Sequence, residues 1–226
     1  TAGASFNIKL YAVDTNNNLA TGENSARTVN FASTATDAPT GNKPTIKGVT
    51  SESSGWTGVS VSFADGISET IAVVLYKAET GVTITASDPD GDPALTGIES
   101  GSMKVLAAAV NNFVVDLTAT AERNLDFTGT NTVTARDQYN NVITDFDASV
   151  TNVTMSVTSG GGAVYVAGGE DGVLDQETDF VNGVANLTTI GIRYANGTAG
   201  DKTIQAAAGS ATGSDIVAIT VNEPSV

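Results

Sequence analysis

Thr134-Ala135-Arg136-Asp137-Gln138-Tyr139-Asn140-Asn141-Val142-Ile143-Thr144 is the stretch from which the fold can be read. It begins with the end of an alternating segment, turns at Asp-x-x-Asn-Asn, and leaves with a second apolar pair. An aspartate in such a turn can accept hydrogen bonds from backbone N–H groups two or three residues on, and Asn tolerates the left-handed backbone a tight corner requires. The same stretch occurs earlier as Tyr11-Ala12-Val13-Asp14-Thr15-Asn16-Asn17-Asn18-Leu19-Ala20-Thr21, matching at the Ala, the Asp, two Asn and the closing Thr. The offset is 123 residues. A second pair of anchors, Phe63-Ala64-Asp65-Gly66-Ile67 and Phe180-Val181-Asn182-Gly183-Val184, repeats at an offset of 117. Two copies of one unit explain both, the second copy being six residues shorter between the anchors.

Around the corners the pattern is that of strands. In Phe6-Asn7-Ile8-Lys9-Leu10-Tyr11-Ala12 the apolar Phe6, Ile8, Leu10 and Ala12 fall on one face and Asn7, Lys9 and Tyr11 on the other, the period of a half-buried strand. Further strands are expected at 28–32, 59–63, 69–76 and 81–86 in the first copy. The second copy offers 132–136, 153–157, 163–167, 183–190 and 203–207. Composition agrees. The chain has 32 Thr, 25 Val and 12 Ile against 9 Leu, and these stiff β-branched side chains suit a pleated surface. Its 24 Gly, 18 Asn and 18 Ser supply many turns. Short strands at this spacing fit sandwiches, so the fold class is all-β with two tandem sandwiches, residues 1–110 and 111–226.

The joint between the copies is expected at Asn111 and Asn112, between a last strand at 102–110 and a first strand at 113–119. With no Gly/Ser or Pro-rich spacer, the pair is expected to be stiff. One large β domain of the same length is the alternative. The copies also differ at their starts. The second has the strand at 113–119 before its corner strand, while the first has no room for an equivalent, so an edge is expected to be missing there. It is completed by sequence outside the chain, by a strand from a neighbour, or is dispensed with.

The segment Thr132-Val133-Thr134-Ala135-Arg136-Asp137-Gln138-Tyr139-Asn140-Asn141-Val142-Ile143 resembles the strand-and-turn signature of bacterial immunoglobulin-like domains, the modules of invasin and intimin-type adhesins and of surface-layer proteins. Where the family has Tyr-Gly-Asn at the turn, this copy has Tyr139-Asn140-Asn141 and the first has Asn16-Asn17-Asn18. The resemblance covers both copies. It implies immunoglobulin-like sandwiches acting as an extracellular stalk or lattice module without catalytic residues.

Composition narrows the chemistry. The chain has 226 residues and no Cys or His, which removes the Ser/His/Asp triad, Cys/His nucleophiles, Cys/His zinc sites and disulfides. No Gly-x-Ser-x-Gly, Ser-x-x-Lys, Gly-x-x-x-x-Gly-Lys or Asp-Thr-Gly occurs, and no enzyme activity is expected. A net charge of −15 repels nucleic acid and anionic lipid. Neither a charged-then-apolar leader nor a spanning segment is expected within these residues, the apolar run 71–76 being far short of the roughly 18 residues a span needs. An extracellular, cell-surface location follows from the missing thiols and the resemblance together.

Asp88-Pro89-Asp90-Gly91-Asp92 is the sharpest candidate site. Asp88, Asp90, Asp92 and Glu99 stand at positions 1, 3, 5 and 12 of an EF-hand-type calcium loop, and carboxylates are what a hard cation takes. Pro93 occupies the position where that loop has Gly, and a solvated turn is the plain alternative. Glu170-Asp171-Gly172-Val173-Leu174-Asp175-Gln176-Glu177 is a second acidic loop, by default a solvated turn. Asn152-Val153-Thr154, Asn186-Leu187-Thr188 and Asn196-Gly197-Thr198 match the glycan acceptor pattern. Trp56 either stacks a sugar or caps a core, and Lys9 is expected to be solvated and not part of an isopeptide link. The function expected is a structural module of an extracellular prokaryotic assembly, a surface layer or filament, whose partners are copies of itself or neighbouring surface domains. An adhesin stalk and an accessory domain of a secreted polysaccharide-active enzyme are the alternatives.

Overall fold

The computed structural model describes residues 1–53, 55–88, 91, 94–97, 99–166 and 171–221. Its architecture is all-β, and the chain divides into two compact units, Thr1–Ala108 and Ala109–Val226.

The first unit is built from antiparallel pairs. One sheet orders Ser5–Ile8, Ile71–Val74, Thr45–Ile46 and Val49–Thr50, with Ser5–Ile8 at its end. A second orders Leu95–Thr96, Ile84–Asp88, Ala26–Ser33, Gly55–Ala64 and Ile67–Ser68. Met103–Val105 pairs with Glu79–Val82 separately. Alternation places Val29, Phe31, Val59, Val61, Ile71 and Val73 in the core. Trp56 joins them, 2% exposed, and its indole Nε1–H donates to the Val49 carbonyl at 2.9 Å. Its ring has no free face for a sugar, so core capping is its role.

In the second unit a sheet runs Val173–Leu174, Val153–Ser159, Gly200–Ala208, Ala211–Thr220, Val110–Asp116, Thr132–Asp137 and Val184–Asn186. Thr120–Glu122 pairs parallel with Ala211–Thr220. Ala163–Val166 and Ile192–Ala195 form a second, two-stranded sheet. The core includes Phe113, Val133, Ala135, Val153, Leu174, Ala185, Ile192, Tyr194, Ile204 and Val217.

Several expectations change. The strand expected over 6–12 ends at Ile8, that over 81–86 divides between Glu79–Val82 and Ile84–Asp88 in separate sheets, and the last strand expected over 102–110 is strand only over Met103–Val105. Asn111 and Asn112 are strand residues within Val110–Asp116. The register shift between Val110 and Asn112 leaves Asn111 as a bulge, which accommodates the Asn pair without a turn. The segment expected as one strand over 183–190 is strand only to Asn186 and continues as a helical turn, Leu187–Ile190, because the Asn186 side chain accepts from the Thr189 N–H at 3.2 Å and caps it. The strand Ala211–Thr220 lies outside the expected set, because Asp215 stands on the inward row with Ala211, Val217 and Ile219 while the apolar Ile216 is exposed, and the two together break the apolar alternation.

Candidate functional site

The duplicated corner is reproduced bond by bond. In the first unit Asp14 Oδ1 accepts from the Asn16 N–H at 2.9 Å and the Asn18 N–H at 2.8 Å, and Asn18 Nδ2 donates to Asp14 Oδ2 at 3.1 Å. In the second, Asp137 Oδ1 accepts from the Tyr139 and Asn141 N–H groups, both at 2.9 Å, and Asn141 Nδ2 donates to Asp137 Oδ2 at 2.9 Å. The aspartate thus reaches two and four residues on, one further than expected. Asn17 and Asn140 adopt the left-handed backbone at φ 65° and 66°, the role sequence assigned to Asn. The donors that lower the Asp14 pKa are first the Asn18 N–H, then its side chain.

The two anchors of each copy meet each other. Tyr11 bridges Ile67 and the Ala12 N–H donates to the Gly66 carbonyl at 2.8 Å. Thr134 pairs with Val184 and the Ala135 N–H donates to the Gly183 carbonyl at 3.0 Å. Gly66 and Gly183 sit at φ 79° and 80°. A Cβ there would lie 2.6 Å from the Ala20 carbonyl oxygen in one copy and 2.5 Å from that of Ile143 in the other. Glycine is required on both counts.

What differs is cover. Asp137 and Asn141 are buried at 1% and 4% exposure, whereas Asp14 and Asn18 are exposed. On the outer side of Thr132–Asp137 lies Val110–Asp116, antiparallel, with Val110 opposite Asp137, Phe113 opposite Ala135, Val114 opposite Thr134 and Asp116 opposite Thr132. Among the described residues, no strand occupies that side of residues 9–14 in the first unit. Tyr11, Val13 and Leu19 are left 60%, 42% and 40% exposed.

A second difference follows beyond the corner. The Glu23 N–H donates to the Ala20 carbonyl and the Phe146 N–H to the Ile143 carbonyl, both at 3.0 Å, so these residues are counterparts. Phe146 is buried edge-on between Phe113 (centroids 5.9 Å, 85°) and Phe180 (4.7 Å, 64°). Glu23 instead accepts from Arg27 Nε at 2.9 Å, and Arg27 Nη1 donates to Asp88 Oδ2 at 2.8 Å. The guanidinium, with help from Ser25, holds the Glu23 carboxyl well below the ordinary 4.5, at about 2, and the two carboxylates raise the Arg27 pKa further. Sequence spacing does not reveal this triad, because a Glu and an Arg four residues apart are neighbours by spacing only on a helix, and the partner Asp88 is 61 residues from Arg27.

Of the expected calcium ligands, Asp88 is buried at 5% exposure and spends Oδ2 on Arg27. Glu99 accepts from the Thr83 hydroxyl at 2.6 Å. Asp90 and Asp92 lie outside the described residues, as does Glu170 of the second acidic loop. Among the described residues no three carboxylates converge on a common point. In the second loop Asp175 accepts from the Gln176 amide and Asp179 from the Gln176 N–H, so both serve the local 3-10 turn.

The three glycan acceptor asparagines are exposed. Asn186 is engaged as a helix cap, and Asn196 Nδ2 donates to the Tyr165 hydroxyl at 2.7 Å. Asn196 also borders an open depression of about 470 Å³, lined with Asn124, Tyr165, Arg193 and Ala195 and lacking any carboxylate. Arg193 stacks 5.3 Å from the Tyr165 ring centroid. Lys9 is exposed, as its alternation requires. No described helix is long and apolar enough to cross a membrane.

No family model and no curated protein matches the chain. Solved structures of surface layer protein SbsC are similar to it at low TM-score. Its domains 1-6 match at 14% identity and TM-score 0.33 over 91% of this chain and 21% of that one. Its domains 4 and 5 match at 17% and 0.31, over 66% of this chain and 68% of the other. Domains 5-6 match at 16% and 0.27, over 98% and 92%. This chain spans about a fifth of the first of these. At such scores the likeness carries no argument about function.

Proposed function

We propose that the chain is a non-catalytic structural module of an extracellular prokaryotic assembly, a surface layer or filament, built from two immunoglobulin-like units. The observation that supports this reading is how the acidic and amide side chains are used. Asp14, Asp137, Asn18 and Asn141 close backbone corners. Glu23 and Asp88 hold Arg27, Glu69 holds Lys47, and Asp215 accepts from the Leu117 N–H. Each spends its polar atoms on fixing strand ends, and a module that recurs in a lattice needs that rigidity more than it needs a reactive group. Copies of the chain or neighbouring surface domains are the proposed partners. Calcium is the proposed stabilising ion, at Asp88, Asp90, Asp92 and Glu99.

Electron microscopy of the purified chain, with and without calcium, tests the reading. Ordered sheets or filaments are the expected outcome. Dispersed particles that bind host cells would favour an adhesin stalk, and retention on insoluble glycans an accessory domain. Calorimetric titration with calcium, repeated on Asp90→Ala, tests the ion separately.

A further inference from the structure

We propose that the open depression beside Arg193 in the second unit binds a carboxylate-bearing sugar, the Arg193 guanidinium taking the carboxylate while Asn124, Tyr165 and Asn196 take hydroxyls. A lattice module neither requires such a site nor is excluded by one, so the two readings stand or fall separately.

Strand pairing fixes the floor. Ala163–Val166 and Ile192–Ala195 run antiparallel, with Tyr165 opposite Arg193 and Ala163 opposite Ala195. Val164, Val166, Ile192 and Tyr194 turn inward and are buried, so Tyr165, Arg193 and Ala195 turn outward together. The buried Tyr194 donates its hydroxyl proton to the Gly161 carbonyl at 2.8 Å and so anchors the strand that carries Arg193. Residues 124–127 run along the other side of that strand. There the Phe127 N–H donates to the Ile192 carbonyl and the Asn124 N–H to the Tyr194 carbonyl, both at 2.8 Å. Side chains mounted on paired strands are positioned before a ligand arrives, which lowers the cost of binding it.

Arg193 defines the charge of the ligand. Its side chain is half-buried, yet among the described residues neither a hydrogen bond nor an ion pair engages the guanidinium. Its contact is the Tyr165 ring, 5.3 Å away at the centroid. Stacking orients the planar group and leaves its N–H edge free, and that edge matches the two oxygens of a carboxylate. Asp126 stands opposite Arg193 across a backbone bridge, exposed and without an ion pair to it. Around the fork the groups are neutral. The Tyr165 hydroxyl accepts from Asn196 Nδ2 at 2.7 Å and keeps its own proton to donate. The Asn124 amide and Asn196 Oδ1 have no hydrogen-bond partner among the described residues. Such a mixture of donors and acceptors suits sugar hydroxyls, whereas a phosphate or sulfate only accepts and would leave the Asn oxygens unmatched. The volume of about 470 Å³ falls in the range of small-molecule sites.

The test is a titration of the full chain with glucuronate and with galacturonate, followed by amide NMR shifts. Glucose supplies the sugar without the carboxylate, and acetate and inorganic phosphate supply an anion without the sugar. Saturable shifts at residues 124, 165 and 193–196 are expected with at least one uronate, with the three controls about tenfold weaker or more. Arg193→Gln, on an outward position, should weaken the uronate about tenfold with an unchanged melting curve. Asp126→Asn, which removes a competing carboxylate, should tighten it about twofold. Absence of shifts at those amides with both uronates overturns the proposal, as does undiminished binding by the Arg193→Gln chain. Glucose binding as tightly as the uronate overturns the role of the carboxylate. Acetate or phosphate binding as tightly overturns the sugar.

Discussion

The corner at Asp14 and the corner at Asp137 share every hydrogen bond described for the first of them, to within about 0.2 Å, and the same left-handed Asn. One lies open and the other lies under a strand. Eleven residues are therefore sufficient to set the corner's geometry, while its burial depends on a segment that comes from elsewhere in the chain. A hydrogen bond formed in water replaces a bond to water at little net gain, and the same bond under a strand cannot be broken without leaving a buried group unpaired. Equal geometry thus carries unequal energy.

The contrast is sharpest at Phe146 and Glu23, counterparts with opposite chemistry. Phe146→Ala should destabilise the second unit by about 3–5 kcal/mol, through lost burial and the cavity left between Phe113 and Phe180. The measurement is urea unfolding followed by circular dichroism. Trp56, the single tryptophan and a core residue of the first unit, should report an unchanged fluorescence transition. A shift in the Trp56 transition of equal size would contradict the assignment of the loss to the Phe113–Phe146–Phe180 cluster alone.

At the corners themselves, Asp137→Ala leaves the Tyr139 and Asn141 N–H groups and the Asn141 amide without their acceptor in a buried site. A loss of about 2–3 kcal/mol is expected. Asp14→Ala removes the same bonds where water can replace them, so its melting shift should be much the smaller of the two. Equal shifts would show that local geometry, and not cover, sets the stability of the corner.

The smallest effect expected is on acid sensitivity. The Glu23 carboxyl is held at about 2, against an ordinary 4.5. Below pH 4.5 the unfolded chain binds the proton that the folded chain still refuses. The stabilisation is therefore complete above about pH 4.5 and is lost as pH falls toward 2. Asp14 and Glu69, also lowered, add to the first unit, while Asp147 acts in the second. The Trp56-reported melting temperature should fall more steeply between pH 4.5 and 2 than that of the second unit, and Glu23→Gln should flatten the slope. An unchanged slope in that variant would remove Glu23 as the source.

Much of this was written locally. The Asp-x-x-Asn-Asn corners, the Asn at positive φ and the alternation of Phe6, Ile8, Leu10 and Ala12 each depend on neighbours within a few residues, so spacing alone reveals them. Spacing does not reveal the Glu23–Arg27–Asp88 triad, because Arg27 and Asp88 are 61 residues apart and only the pairing of Ala26–Ser33 with Ile84–Asp88 brings them together. The bulge at Asn111 escaped for a related reason. A register shift is a property of two strands and has no signature in one.

Sequence by itself determined that this chain is nearly all β, that its Asp-x-x-Asn-Asn corner occurs twice, and where each of those corners turns, because strand period and Asx turns are short-range properties of the backbone. Tertiary structure alone decided which copy of the corner is buried, and which counterpart position holds a phenylalanine cluster and which an ion pair. Those outcomes depend on what lies across a sheet from a residue, and that neighbour is chosen by the folding of the whole unit.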